Sequence, residues 1–515
     1  MLNVQDLTLT HQRDLRLLVD HLSFTLSGRD RLAVIGEEGD GKSTLLKAVY
    51  DPRLIASYAA MTGRISATGE CLGYLPQEVP AAWQDQPVCT VLGLWESFQA
   101  LSPGEQAQLC RTVGVPPDFP YAEWTVRQLS GGERVRLMLM RCLCARPSLL
   151  LLDEPGNDLD IPSLRFLERF IQDFPGSVLF ISHDETLLSR TATRVLHLEM
   201  AYRKTTPRAT LSNTPYSAYM AAREAALVRQ EAQAQMEKRE RAARQERFLR
   251  IYQAVEYAQN TVSRQDPGTG RLLKKKMKAV KSLEKRFERE DERQTERPNV
   301  EYPIDAVFQG DHTLPAGKRC LDVTLPLVQA GDRVLARNVT LRLTGGEKVL
   351  IVGPNGCGKT TLLREIARSL LCRTDVRAGY MPQRYEDVLP LEKTPIDFLH
   401  TRGDREQLTR LRTYLGAFKF TTPEMEHPMS ALSGGQKAKV LLLSLLLSDA
   451  NVLIADEPTR NLSPLSAPVV RRLLCGFEGC VLGVTHDRTL LQMWPGRILL
   501  FTPEGLQDAP PEMWS

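Results

Sequence analysis

The chain repeats itself, and the repeat limits what it can fold into. GEEGDGKSTLL at Gly36 returns as GPNGCGKTTLL at Gly353, and GYLPQ ending at Gln77 returns as GYMPQ ending at Gln383. LSGGERVRL at Leu129, LLLLDEP through Asp153 and ISHD around His183 return as LSGGQKAKV at Leu432, VLIADEP through Asp456 and VTHD around His486. The last three pairs lie 303 residues apart, the glutamine pair 306 and the first pair 317, so the copies differ by small insertions early in the first. Such a long-period repeat predicts two homologous domains, 1–204 and 319–515, with 205–318 between them.

Each copy reads as α/β. RLAVIG and KVLIVG are short apolar runs that end in glycine, as buried parallel strands feeding a loop do. LLLLLD, VLIAD, GSVLFISH and GCVLGVTH supply further core strands, with helical stretches between them.

G-x-x-x-x-G-K-[ST] between strand and helix is a phosphate cradle. Its glycines let backbone N–H groups wrap the phosphates, its lysine reaches the β- and γ-phosphates, and its hydroxyl ligates Mg²⁺. Gly36, Gly39, Gly41, Lys42, Ser43 and Thr44 form one such loop; Gly353, Asn355, Gly356, Gly358, Lys359, Thr360 and Thr361 form the other. Asp153 and Asp456 close apolar strands and are expected in the Mg²⁺ shell, while Glu154 and Glu457 are expected to polarise water. His183 and His486 keep a fixed distance from those acids, which favours γ-phosphate sensing over a merely buried role.

Taken together, the P-loop, glutamine, LSGG, DEP and SHD/THD motifs resemble those of ATP-binding cassette ATPases over nearly the whole chain. The resemblance implies ATP and Mg²⁺ as ligands, with Gln77 and Gln383 also in the metal shell. It implies head-to-tail cassettes, so that each ATP lies between one P-loop and the opposite signature. Site one would then combine Lys42, Ser43, Gln77, Asp153, Glu154 and His183 with Ser433, Gly434 and Gly435; site two would combine Lys359, Thr360, Gln383, Asp456, Glu457 and His486 with Ser130, Gly131 and Gly132.

The segment between the cassettes selects the branch. From Tyr216 to Asp266 it has neither glycine nor proline, PGTG at 267–270 breaks it, and a second run reaches Arg297. Both runs are rich in helix formers, and Leu273, Met277, Val280, Leu283 or Glu284, and Phe287 follow three–four spacing. The expectation is an antiparallel helical hairpin, with helices near 216–262 and 271–297, the first breaking near 251–262, and a tip at about 251–270.

Between Arg241 and Lys281 eleven basic residues face three acids, giving +8 in a chain of net +4. Phe248, Tyr252 and Tyr257 interleave with Arg247, Arg250, Arg264, Arg271, Lys274, Lys275, Lys276 and Lys278. Basic charge with stacking rings suits structured RNA, against the plainer alternative of a solvated spacer helix.

Two cassettes joined by a charged helical hairpin resemble the ABC-F proteins, with TPYSAYMAAREAA at Thr214 and KKKMKAVKSLEKR at Lys274 matching that family's linker. The resemblance implies binding at the ribosomal tRNA exit site, the linker tip approaching large-subunit RNA at the peptidyl-transferase centre and the P-site tRNA. Antibiotic protection and stall relief are the roles it favours, because the Gly36–Gln77 interval has no arm insertion and PPEMWS is followed by no basic extension. The alternatives are an ATPase subunit of a membrane transporter and a DNA-maintenance ATPase. A basic hairpin between complete cassettes counts against both. No apolar run approaches the ~20 residues that span a bilayer, and the ten cysteines form no C-x-x-C pair, so a cytoplasmic monomer with intramolecular cassette pairing is expected.

Three departures stand out. Glu37, Glu38 and Asp40 crowd the first P-loop with acids, whose side chains are expected to point away from the phosphates and to weaken binding without abolishing it. Ser463 replaces the acid kept as Asp160 in the first copy and should face site one. The usual aromatic adenine stackers are missing, with His11 and Leu327 the nearest candidates, so a loose grip on adenine is expected. Site one is therefore expected to be the slower of the pair.

Overall fold

The computed structural model describes residues 1–157, 159–201, 206–261, 271–272, 274–280, 282, 287, 312–331, 333–400 and 403–513. Contacts divide the chain into two units, Met1–Tyr216 with Val300–Ser515, and Ser217–Asn299.

The first unit contains both repeats. In the first repeat, β1 (Leu2–His11), β2 (Leu17–Leu26) and β4 (Ala59–Ser66) form an antiparallel sheet in the order β2-β1-β4, with β3 (Arg31–Ile35) lying between β2 and β4 in the chain. The main sheet has the order β5-β6-β7-β3-β8-β9, where β5 is Leu72–Leu75, β6 Leu149–Asp153, β7 Ser177–Ile181, β8 Arg194–Met200 and β9 Thr206–Ser212. Every residue of β3, β6 and β7 is buried, as expected for apolar strands covered on both faces. All pairings from β5 to β8 are parallel, and β9 closes the edge antiparallel.

The second repeat begins with a hairpin of β10 (Arg319–Ala330) and β11 (Arg333–Thr344). Its main sheet is β13-β14-β15-β12-β16-β17, with β12 at Lys348–Val352, β13 at Ala378–Met381, β14 at Val452–Asp456, β15 at Cys480–Val484, β16 at Arg497–Thr502 and β17 at Gly505–Asp508. In both repeats the central strand, β3 or β12, runs straight into the P-loop. The loops end with Gly41 (φ 85°) and Gly358 (φ 105°), left-handed positions from which the helices Lys42–Tyr50 and Lys359–Leu371 start. Leu45 and Leu46, or Leu362 and Leu363, anchor those helices in the core, which fixes where the lysine and hydroxyl sit.

The second unit carries one helix over Tyr216–Thr261, 46 residues and about 69 Å long. The break expected from 251 onward is not found: the helix runs unbroken through Thr261, because that stretch has no glycine or proline to interrupt the hydrogen-bond ladder. On the return run, residues 271–272 and 274–280 are helical, Val280 is buried, and Phe287 packs edge-on against Phe248 with ring centroids 6.3 Å apart. Of the expected seam, Leu273, Leu283 and Glu284 lie outside the described residues, as do Arg264 and residues 288–297.

Candidate active site

The P-loop lysines are buried and folded onto their own loops. Lys42 Nζ donates to the carbonyls of Gly36 (3.1 Å) and Glu37 (2.7 Å), and Lys359 Nζ to those of Gly353 and Pro354 (both 2.8 Å). Burial pulls both amines below the ordinary lysine range, which favours a phosphate as partner. Ser43 Oγ donates to Asp153 Oδ1 at 2.8 Å, and Thr360 Oγ1 to Asp456 Oδ1 at 3.4 Å, joining each helix start to the end of β6 or β14. Burial raises the pKa of both aspartates. Asp456 Oδ2 is buried without a hydrogen-bond partner, and Asp153 Oδ2 is held by the Tyr74 hydroxyl at 3.2 Å. A hydroxyl beside a desolvated carboxylate with an open lone pair is a hard-oxygen donor set, which fits Mg²⁺ completed by phosphate oxygens and water.

The residues after those aspartates are bent into an uncommon shape. Glu154 and Glu457 have φ of 50° and 53°, left-handed conformations that long side chains seldom adopt. The kink turns each carboxylate off its strand end. Glu154 accepts from Gln77 Nε2 (2.9 Å) and Asn157 Nδ2 (2.6 Å), and meets His183 Nε2 at 3.0 Å. Burial opposes its charge, yet His183 and Lys42 prevail and hold the carboxyl down at about 2. His183 Nδ1 lies 3.1 Å from the carbonyl of Leu462 in the other cassette, so its two nitrogens make both contacts together only when both carry protons. His486 differs: neither ring nitrogen has a hydrogen-bond partner, and burial with the nearby Lys359 drives it down to about 3.

The two composite sites are assembled unequally. At site one the carboxylate of Glu38 accepts from the backbone N–H groups of Gly434 (3.3 Å) and Gly435 (2.9 Å) across the interface. Glu37 pairs with Lys419 of the second cassette, and Asp40 turns inward to accept from Glu37 N at 2.7 Å. The first P-loop acids therefore do not simply point away, as the sequence suggested: two of the three cross to the other cassette. Burial and Glu37 push the Asp40 carboxyl up to about 6. At site two, Asp160 Oδ2 reaches across to Asn355 N at 3.3 Å, while Ser130 is exposed. The loop of Ser463 does face site one through Leu462 and Asn461, but Ser463 itself is buried and accepts from Ser466 N at 3.2 Å. A serine is too short to serve both its own helix start and the opposite loop.

Beside the first P-loop a cavity of about 450 Å³ is lined by His11, Arg16, Tyr58, Thr44 and, from the second cassette, Asn461. His11 lies where an adenine stacker was sought. Arg16, Tyr58 and Lys419 were not singled out in the sequence, since none belongs to a spaced motif; Asn461 lies inside the DEPTRNLS stretch at 456–463 but was not singled out there either. Leu327 is 39% exposed on β10. Gln383 and Thr361 are half-buried.

Between the sites lies a buried charge cluster. Arg471 bonds Asp487 (2.7 Å) of its own cassette and Glu185 (2.8 Å) of the other; Arg488 reaches across to Asp184 (3.0 Å) and Glu168 (2.5 Å).

On the hairpin, Phe248 lies 6.0 Å from Tyr252 and against Phe287, with the Arg244 guanidinium 5.9 Å above the Phe287 ring. Two of the three rings read as RNA stackers thus serve the hairpin's own packing. Tyr257 is 73% exposed, and Arg247, Arg250, Arg271, Lys274, Lys275, Lys276 and Lys278 are all exposed.

The family model described as "ABC transporter" matches residues 19–157 and 336–460, both cassettes. The ribosome protection protein VmlR of Bacillus subtilis (strain 168) is 32% identical over 510 residues, covering 96% of this chain and 86% of that protein. The chain belongs to the ABC-F ATPases. This ABC-F chain is also 28% identical to the ATP-binding protein Uup of Haemophilus influenzae, over 95% of its own length and 77% of Uup. Among solved structures, the archaeal ribosome recycling factor aABCE1, crystallised with the stalk protein aP1, superposes with a TM-score of 0.58 at 18% identity, covering 98% of this chain and 88% of that one. That likeness establishes the tandem-cassette fold. As an ABC-F ATPase the chain binds and hydrolyses ATP. Among its described residues no helix is long and apolar enough to cross a membrane.

Proposed function

We propose that this ATPase acts on the ribosome, binding at the tRNA exit site with its hairpin directed at the peptidyl-transferase centre and P-site tRNA. The observation that carries the reading is a set of exposed bases, Arg247 and Arg250 on a 46-residue helix and Arg271, Lys274, Lys275, Lys276 and Lys278 on the return run, with an exposed Tyr257, all between complete cassettes. Phosphate contacts would supply affinity there, and the exposed ring would meet an unstacked base. The relative VmlR is named a ribosome protection protein, which supports protection of the ribosome as the outcome; we read that outcome as antibiotic protection, with stall relief the sister role.

In this mechanism cassettes 1–204 and 319–515 pair within one chain and close on two ATP molecules. Lys42 and Lys359 abandon their loop carbonyls for the β- and γ-phosphates, and the P-loop N–H groups wrap the rest. Ser43 with Asp153, and Thr360 with Asp456, would hold Mg²⁺ with Gln77 and Gln383 alongside, and when bound it would supply positive charge beside the phosphoryl oxygens. Glu154 and Glu457 orient and polarise the attacking water; His183 and His486 sense the γ-phosphate. Ser433, Gly434 and Gly435 complete site one, and Ser130, Gly131 and Gly132 complete site two. Closure seats the 205–318 linker on its target, and hydrolysis releases it.

Sedimentation tests this reading. A Glu154→Gln, Glu457→Gln double variant should accumulate on ribosomes and block translation, and the wild-type chain should raise resistance to at least one peptidyl-transferase inhibitor in a panel. A double variant that stays at the top of the gradient, beside an unaltered ribosome profile, would sink it.

A further inference from the structure

The acids of the first P-loop divide their work. Asp40 braces the loop from inside, Glu37 pairs with Lys419, and Glu38 holds the first two amides of the 14-residue helix Gly434–Leu447. Those amides are the donors that a helix start leaves unpaired, a ready anion seat. The capping serine does not use them, since Ser433 Oγ takes Gln436 N instead. Glu38 therefore fills the seat with a carboxylate attached to the opposite cassette. The second P-loop has neutral Asn355 at this position, where its backbone N–H is taken by Asp160. Lys419 is also set for its contact, with a left-handed backbone (φ 60°) and a mostly buried side chain.

A carboxylate and a terminal phosphate are both anions that accept from N–H groups, and two amides cannot serve both at once. We propose that Glu38 is a tethered occupant of the signature amides at site one, which the terminal phosphate of a nucleoside triphosphate must displace. Site one then holds nucleoside di- and triphosphates with nearly equal affinity, while site two, with no such occupant among the described residues, favours the triphosphate. The two cassettes also stay joined at site one without nucleotide. The inference rests on the pairing of the first P-loop with the second signature proposed above, and not on the ribosome.

The test uses the full chain with Lys359→Ala to silence site two, and compares ATP with ADP in competition against a fluorescent ADP analogue. Glu38→Asn, which copies the second P-loop, should raise the preference for ATP over ADP by about tenfold or more, the scale of a displaced charged hydrogen bond. Glu38→Gln, closest in shape and safest for folding, should raise it by a smaller factor. Adding Gly434→Asp to Glu38→Asn should erase the gain, because the new acid blocks the vacated seat and its Cβ meets only ordinary contacts with the Asn461 side chain. A preference unchanged in both Glu38 variants overturns the proposal. So does a gain that survives Gly434→Asp, for then only bulk charge has been relieved. Gly434→Asp alone separates the underlying pairing: a weakened ATP affinity beside unresponsive Glu38 variants would leave the composite site standing and remove only the occupant.

Discussion

The two ATP sites share a motif set and differ in what surrounds it. At site one Glu154 is tied to His183, Gln77 and Asn157, and the opposite signature is already engaged by Glu38. At site two His486 has no hydrogen-bond partner, Asp456 keeps an open oxygen, and the cross-cassette contact is Asp160 on the P-loop backbone. One site is satisfied without a ligand, whereas the other has buried polar groups that a ligand would satisfy. Buried polar atoms left unpaired are costly, so nucleotide has more to contribute at site two. Motifs identify the chemistry, and the neighbours decide how readily it runs.

The largest test of that contrast removes each glutamate. Glu457→Gln should lower steady-state ATP hydrolysis by roughly a hundredfold or more, within the range for loss of a general base, and Glu154→Gln by less than about tenfold. Equal losses in a phosphate-release assay would abolish the asymmetry. Next in size is the cluster between the sites. Arg488→Ala leaves Asp184 without its buried partner and Glu168 with Arg190 alone, and should cost about 3 kcal/mol in denaturant unfolding while leaving nucleotide contacts in place.

Acidity separates the sites further. His486 stays neutral down to about 3, below the ordinary histidine value of 6.5, so its contribution to stability is full above 6.5 and is lost as pH falls from there towards 3. Asp40 has the opposite sign. Its carboxyl binds a proton up to about 6 when folded, against 3.8 unfolded, so its stabilising contribution is complete below 3.8 and lost as pH rises through 6. Asp40→Asn should therefore gain stability over wild type at pH 7.5 relative to pH 4, by a fraction of the ~1.4 kcal/mol per pH unit that such a linkage allows. Denaturation midpoints across that range would check both signs. The smallest effect belongs to Ser463→Asp. The position is buried and its hydroxyl is engaged by Ser466 N at 3.2 Å just before the next helix, so site-one turnover should change by less than about threefold; a larger rise would mean the loop swings outward.

Much of this was legible in the chain. The repeat gave two α/β domains, and the motif order placed Lys42, Ser43, Asp153 and Glu154 together, because strand, loop and helix are local and strongly patterned. The hairpin's first helix was legible from composition and ends at Thr261, beside the expected 262, though without the expected break from 251 onward, since no glycine or proline interrupts it. What could not be read was which side chains cross between cassettes. Glu38 and Gly435 are 397 residues apart, and no periodicity ties an acid in one loop to an amide in another. Lys419, Tyr58 and Asn461 sit on loops for the same reason. Phe248 looked like a stacking ring because sequence cannot say whether a ring packs on its own hairpin.

One consequence follows from the bent glutamates. The backbone N–H of Glu457 donates to the carbonyl of Val484 at 2.9 Å, and Val484 ends the strand that leads directly to His486. A single backbone bond thus sets the Glu457 carboxylate and the His486 ring in phase. Heating or a slip in that strand would desynchronise the pair while nearly all regular secondary structure persists. Catalytic turnover should fade before circular dichroism registers any loss, making activity the finer gauge of sheet integrity in this molecule.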